Sequence, residues 1–100
     1  MFTHIVMWRL QDSAGGRSRA DNARLIKERF EEVANMLDGL HHMEVGVNVI
    51  PGDDAADVVL KAAFESRAAF EAYYVHPAHV ALAAFIKDVR VDRRVIDYEA

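Results

Sequence analysis

The chain is 100 residues long, 52% hydrophobic and 28% charged, with a formal net charge of -4 and no cysteine. This balance describes one soluble globular domain over residues 1–100 with room for a modest core, and excludes the disordered and membrane-spanning classes. An acidic chain is a poor match to nucleic acid, whose phosphates call for a concentrated basic surface; here Arg90, Arg93 and Arg94 form the only compact basic group, diluted by Asp88 and Asp92. Without cysteine there are no disulfides and no thiolate chemistry, and with no signal-like segment in the opening Met-Phe-Thr-His the expectation is a cytoplasmic protein.

Phe2 to Leu10 alternates as a strand, with Phe2, His4, Val6, Trp8 and Leu10 on one face and Thr3, Ile5, Met7 and Arg9 on the other. Both faces carry apolar groups, so burial is expected on both sides. Gln11 to Arg17, with Gly15 and Gly16, reads as a loop, and Ser18 to Asp21 as a capping box that opens a helix running to about Asp38. Its stripe of Ile26, Phe30, Val33, Leu37 and Leu40 is closed by Gly39.

A second strand is predicted from about His42 to Ile50, followed by a turn at Pro51 to Asp54 and a third strand from about Asp57 to Phe64. Ser66 caps a short helix carrying Phe70, Tyr73 and Tyr74. Proline excludes the helical conformation at the residue before it and is well suited to the first helical position. The short helix therefore ends near Val75, His76 becomes an N-cap, and Pro77 opens a helix to about Asp88. Val89 to Tyr98 is the closing strand.

The order β-α-β-β-α-α-β is a ferredoxin-like split βαβ plan of the α+β class: a four-stranded antiparallel sheet with three helices on one face. The other face, with Ile5, Met7 and several valines, would expose several hundred Å² of apolar surface if left bare. A second copy of the chain, sheet against sheet, is the economical cover, and a homodimer is expected.

His79 falls in the first turn of the last predicted helix, where the dipole disfavours protonation and leaves a neutral imidazole able to act as a base. It shares helical spacing with Leu82, Ala83 and Ile86, which directs it along the apolar face. His4 lies on the core-facing side of the first strand. Tyr73 and Tyr74 are neighbours, so only one can point fully inward. A metal reading of His76 and His79 lacks a third ligand; Asp53, Asp54 and Asp57 read as a polar hairpin loop, and no metal is assigned. Phosphate-loop, dinucleotide and nucleophilic-serine motifs are absent.

Taken together, His4-Ile-Val6, Met43-Glu-Val-Gly-Val-Asn48, Phe64-Glu-Ser66, His76-Pro-Ala-His79 and Val95-Ile-Asp-Tyr98 resemble the stress-responsive dimeric α/β barrel (Dabb) family along essentially the whole chain. Within it the chain is similar to polyketide cyclases of the olivetolic acid cyclase type, whose catalytic histidines match His4 and His79 and whose pocket tyrosine matches Tyr73. The resemblance implies pairing as a dimeric α/β barrel. It also implies a small-molecule pocket between sheet and helices, lined by Val6, Trp8, Ile26, Phe30, Leu60, Leu82 and Ala83. Phe30 stands where those cyclases have a second tyrosine, and Trp8 is bulkier than the aliphatic residue expected there.

Such a pocket implies acid–base chemistry of cyclase or lyase character on a carbonyl-bearing hydrophobic molecule, with no cofactor, no nucleic acid and no membrane involved. Two rivals stand beside it. One is a non-enzymatic ligand-binding or stress-associated dimer with structural histidines. The other is a monooxygenase-like or haem-binding barrel, which oxygen consumption or Soret absorption would bring forward.

Overall fold

The computed structural model describes residues 1–100. In chain order it consists of β1 (Phe2–Leu10), β2 (Ser13–Ala14), β3 (Arg17–Ser18), α1 (Arg19–Ala34), β4 (Leu40–Val47), β5 (Val58–Phe64), α2 (Arg67–Tyr74), α3 (Pro77–Val89) and β6 (Arg90–Glu99). The four long strands form one sheet in the order β4-β5-β1-β6, antiparallel throughout. This is a ferredoxin-like α+β fold, and none of its helices is long and apolar enough to cross a membrane.

The core lies between the sheet and the helices. On β1 the even-numbered side chains Phe2, His4, Val6, Trp8 and Leu10 are buried, as are Val58, Leu60, Ala62 and Phe64 on β5. From the helices they meet Ala23, Ile26, Phe30 and Val33 of α1, Tyr73 of α2, and Leu82, Ile86 and Val89 of α3. The opposite sheet face carries Ile5, Met7, Val59, Ile96 and Tyr98, of which Met7, Ile96 and Tyr98 are exposed in the isolated chain.

Each helix starts on the side chain that its sequence advertises. Ser18 Oγ accepts from the Asp21 N–H at 3.1 Å, Ser66 Oγ from the Ala69 N–H at 3.1 Å, and His76 Nδ1 from the Ala78 N–H at 3.1 Å, with Pro77 in the first turn. Each bond satisfies a donor that the first helical turn leaves unpaired.

Several boundaries differ from the sequence expectation. The α1 helix ends at Ala34 rather than Asp38, because bonds from Asn35, Met36 and Leu37 back to Glu32, Val33 and Ala34 tighten the chain into 3₁₀ turns. Leu37 still packs on the core, whereas Leu40 belongs to β4. Gly39 marks the entry to that strand. Its φ of 75° favours glycine, and any Cβ at this position would lie only 2.8 Å from Ala69 Cβ.

β4 stops at Val47 rather than Ile50, where the Asn48 side chain bonds the Ile50 backbone and turns the chain, leaving Val49 and Ile50 exposed. The Gly15–Gly16 segment is the turn of a small hairpin, β2–β3, rather than an open loop. Both glycines have positive φ, as a tight two-residue hairpin turn demands. Buried Asn22 fastens this hairpin to α1 through Arg17 Nε at 2.8 Å and the Ala14 carbonyl at 3.2 Å. Val89 closes α3 instead of opening the last strand.

Candidate active site

Between the sheet and α2–α3 lies a cavity of about 260 Å³. Its floor is His4, Val6 and Trp8 of β1 with Leu60 of β5; its walls are Tyr73 and Tyr74 of α2 and His79, Ala83, Ile86 and Lys87 of α3. Phe30 closes one end, and Arg90 and Arg93 stand at the β6 side. The Trp8 and Phe30 rings stack with centroids 5.7 Å apart, which shortens the space at that end.

His4 and His79, from opposite ends of the chain, open onto this one space, with Tyr73 between them. The Tyr73 ring lies 4.4 Å from the His79 ring and 6.3 Å from the His4 ring, centroid to centroid. Tyr73 is 2% exposed and Tyr74 50%, so the inward tyrosine is Tyr73, although Tyr74 still forms part of the wall. The Tyr73 hydroxyl is buried and has no hydrogen-bond partner in the chain. An unpaired buried hydroxyl costs roughly 1–3 kcal/mol, so the phenol is held here at some expense to stability.

Each imidazole is held through Nδ1. In His4 this nitrogen bonds the Asp97 carboxylate, and in His79 it donates to the Tyr74 carbonyl at 2.9 Å. Since a carboxylate and a carbonyl can only accept, Nδ1 carries the proton in both rings and Nε2 keeps the basic lone pair. Burial pushes His4 below the usual value of 6.5, against the raising pull of Asp97, with Arg93 adding a smaller push down. Burial likewise lowers His79, opposed by the Tyr74 bond and reinforced by the charges of His4, Arg93 and His76. Burial also raises the Tyr73 hydroxyl, which keeps it a proton donor, and Arg93 partly offsets the shift. Two neutral imidazoles and one protonated phenol thus line one cavity.

Of the residues expected to line the pocket, Val6, Trp8, Phe30, Leu60 and Ala83 do so, together with His4, Tyr73 and His79. Ile26 and Leu82 do not; they are core residues packed behind the wall. Phe85 is also outside the cavity, beneath the Arg17 and Arg29 guanidinium groups at 5.4 and 4.8 Å. Asp57, read from sequence as part of a polar loop, accepts from the Leu10 N–H at 2.7 Å and pins the end of β1. No three His, Cys, Asp or Glu side chains converge on a possible metal position, and the His76 ring is engaged as a helix cap.

Sequence reasoning missed Asp97, Ile86, Lys87, Arg90 and Arg93. Lys87 and Ile86 continue the α3 stripe of His79 and Ala83, a signal that helical spacing did contain. Asp97 and the arginines depend on the β1–β6 register, in which His4 faces Asp97 and Trp8 faces Arg93.

The family model described as Stress responsive A/B Barrel Domain, Dabb, matches residues 2–100. The chain belongs to the Dabb family. Solved structures agree on the fold. A dimeric ferredoxin-like protein of unknown function from Thermobifida fusca is 20% identical, with a TM-score of 0.85 over 99% of this chain and 90% of its own. A Dabb family protein from Mesorhizobium loti is 22% identical, with a TM-score of 0.72 over 99% and 95% of the two chains. The hydroxynitrile lyase of Passiflora edulis is 18% identical, with a TM-score of 0.78 over 97% and 90%. No curated protein matches the chain.

Proposed function

We propose that this Dabb protein is a cytoplasmic homodimer whose pocket carries out cofactor-independent acid–base catalysis on a small, carbonyl-bearing, largely apolar molecule. The observation that supports this reading is that His4, His79 and Tyr73 line one cavity, with both imidazoles held through Nδ1.

In the proposed reaction one neutral imidazole removes a proton α to the substrate carbonyl, and the electrons of the broken C–H bond move into an enolate. His4 is the better placed, because Asp97 behind it stabilises the imidazolium that forms. Tyr73 donates a hydrogen bond to the enolate oxygen, in a space where low polarity makes that bond count for more than in water. The enolate carbon then attacks a second carbonyl of the same molecule, and an imidazolium returns the proton to the new alkoxide. The reverse sequence is a carbon–carbon lyase.

The resemblance of His4, Tyr73 and His79 to the polyketide cyclases of the olivetolic acid cyclase type supports the cyclase direction. The likeness to the Passiflora edulis enzyme supports the capacity of this scaffold for lyase chemistry. The dimer is supported by the apolar face of Ile5, Met7, Val59, Ile96 and Tyr98, and by neighbours that are themselves dimeric.

The test is α-proton exchange and cyclisation of apolar β-dicarbonyl compounds in deuterated water, followed by NMR. The wild type should exceed His4→Ala and His79→Ala by about 10²-fold or more, the usual contribution of a positioned general base. Equal rates in all three proteins, together with strong destabilisation of the variants, would replace catalysis with structural histidines in a ligand-binding dimer.

A further inference from the structure

The cavity has one charged side. Lys87, Arg90 and Arg93 line it, and no Asp or Glu does. None of the three pocket cations is paired with a carboxylate, unlike Arg24, Arg67 and Arg94 but like Arg9, Lys27 and Lys61. The nearest carboxylate on the same face of β6 is Asp97. It lies four residues from Arg93, about 13 Å at the rise of a strand, and is already bonded to His4.

The backbone arranges this cluster. Arg90 and Arg93 are three residues apart, a spacing that places side chains on opposite faces of a regular strand. The β1–β6 register shifts there: Arg9 faces Asp92 but Leu10 faces Arg90, so Val91 is an extra residue. The resulting bulge returns Arg90 to the side of Arg93, Trp8 and Leu10, as bulges beside functional sites often do. Lys87 arrives independently from α3, on the stripe of His79 and Ala83.

We propose that the pocket recognises a small organic carboxylate, its acid group held by Arg93 with Arg90 and Lys87, its apolar body against Trp8, Phe30 and Leu60, and its uncharged end at Tyr73. Guanidinium groups present paired donors that match a carboxylate, and a half-buried Arg93 loses less of that attraction to water than a surface residue would. The inference rests on the cavity being a small-molecule site, but not on its being catalytic.

Binding of 3-phenylpropionate and of its neutral amide, measured by calorimetry and NMR at low salt, separates the possibilities. The carboxylate should bind the wild type at least about tenfold more tightly than the amide, the worth of one charge-assisted hydrogen bond. Arg93→Gln and Arg90→Gln should each erase most of that preference. Arg94→Gln, which removes the same charge from the opposite sheet face, should leave it intact. Equal affinity for acid and amide, or an equal loss in Arg94→Gln, would overturn the carboxylate inference and leave the proposed acid–base function standing. Failure of the wild type to bind either compound would overturn the inference along with the small-molecule pocket itself.

Discussion

His4 and Asp97 stand directly opposite each other on β1 and β6, and the imidazole Nδ1 is bonded to the carboxylate although 93 residues separate the two in sequence. The partnership fixes the ring's tautomer, with the proton on Nδ1 and the lone pair on Nε2. It also works against burial, which alone would drive the imidazole to a lower pKa. Asp97→Asn should therefore lower the His4 pKa further, visible in a ring-proton NMR titration. Asp97→Ala should cost about 1–2 kcal/mol in denaturant unfolding, a charge-assisted bond discounted for the partial exposure of Asp97. An unchanged His4 titration in Asp97→Asn would show that the carboxylate does not govern this ring.

Stability should respond to acid through both pocket histidines. His4 and His79 titrate below 6.5 in the folded chain, so the unfolded chain binds the proton more readily. Their contribution is thus fully present above pH 6.5 and is lost as pH falls from there through the folded-state values. Thermal melts should show a decline on that acid side which shrinks in the His4→Gln, His79→Gln double variant. An equally steep decline in the double variant would assign it to other groups.

Tyr73→Phe should separate stability from function. Removing a buried, unpartnered hydroxyl relieves its desolvation cost, so the ligand-free variant should be as stable as the wild type or more so, by up to about 1–2 kcal/mol. Turnover of any accepted β-dicarbonyl should fall by roughly 10²-fold, the worth of one oxyanion donor. A clear loss of stability in this variant would mean that the hydroxyl is satisfied in the free protein.

The bare sheet face makes a separate prediction. Ile96→Glu places a charge directly opposite Ile5 and should leave the isolated subunit folded, because Ile96 is exposed in the isolated chain and makes no part of the core between sheet and helices. Light scattering should then report a dimer for the wild type and a monomer for the variant. A variant that remains dimeric would place the subunit contact elsewhere.

Local patterns in the chain foretold most of this architecture. The alternation of Phe2 to Leu10 placed His4, Val6 and Trp8 on the helix side of the sheet, and Ser18, Ser66 and His76 with Pro77 marked the three helix starts. These are decided within a few residues by pleat, dipole and orphan N–H groups. What escaped was set by register across distance. The pairing of Asp97 with His4, and the bulge at Val91 that turns Arg90 inward, exist only once β6 lies beside β1. Ile26 and Leu82 had the right periodicity to line the pocket, but helical spacing alone does not say which buried residues border empty space and which border other side chains.

The placement of β6 beside β1 also carries a consequence for biosynthesis. Of the described elements β6 emerges last from the ribosome, so a nascent chain can gather β4, β5 and the helices around β1 while that strand still has a raw edge on one side. Closing so long a loop is slow, and an uncovered strand edge invites chaperones and misassembly in the interval. Arg90 and Arg93 join the cavity, and Asp97 reaches His4, only with this final strand, so a partly translated chain carries a hollow that lacks one wall and leaves the His4 imidazole without its carboxylate.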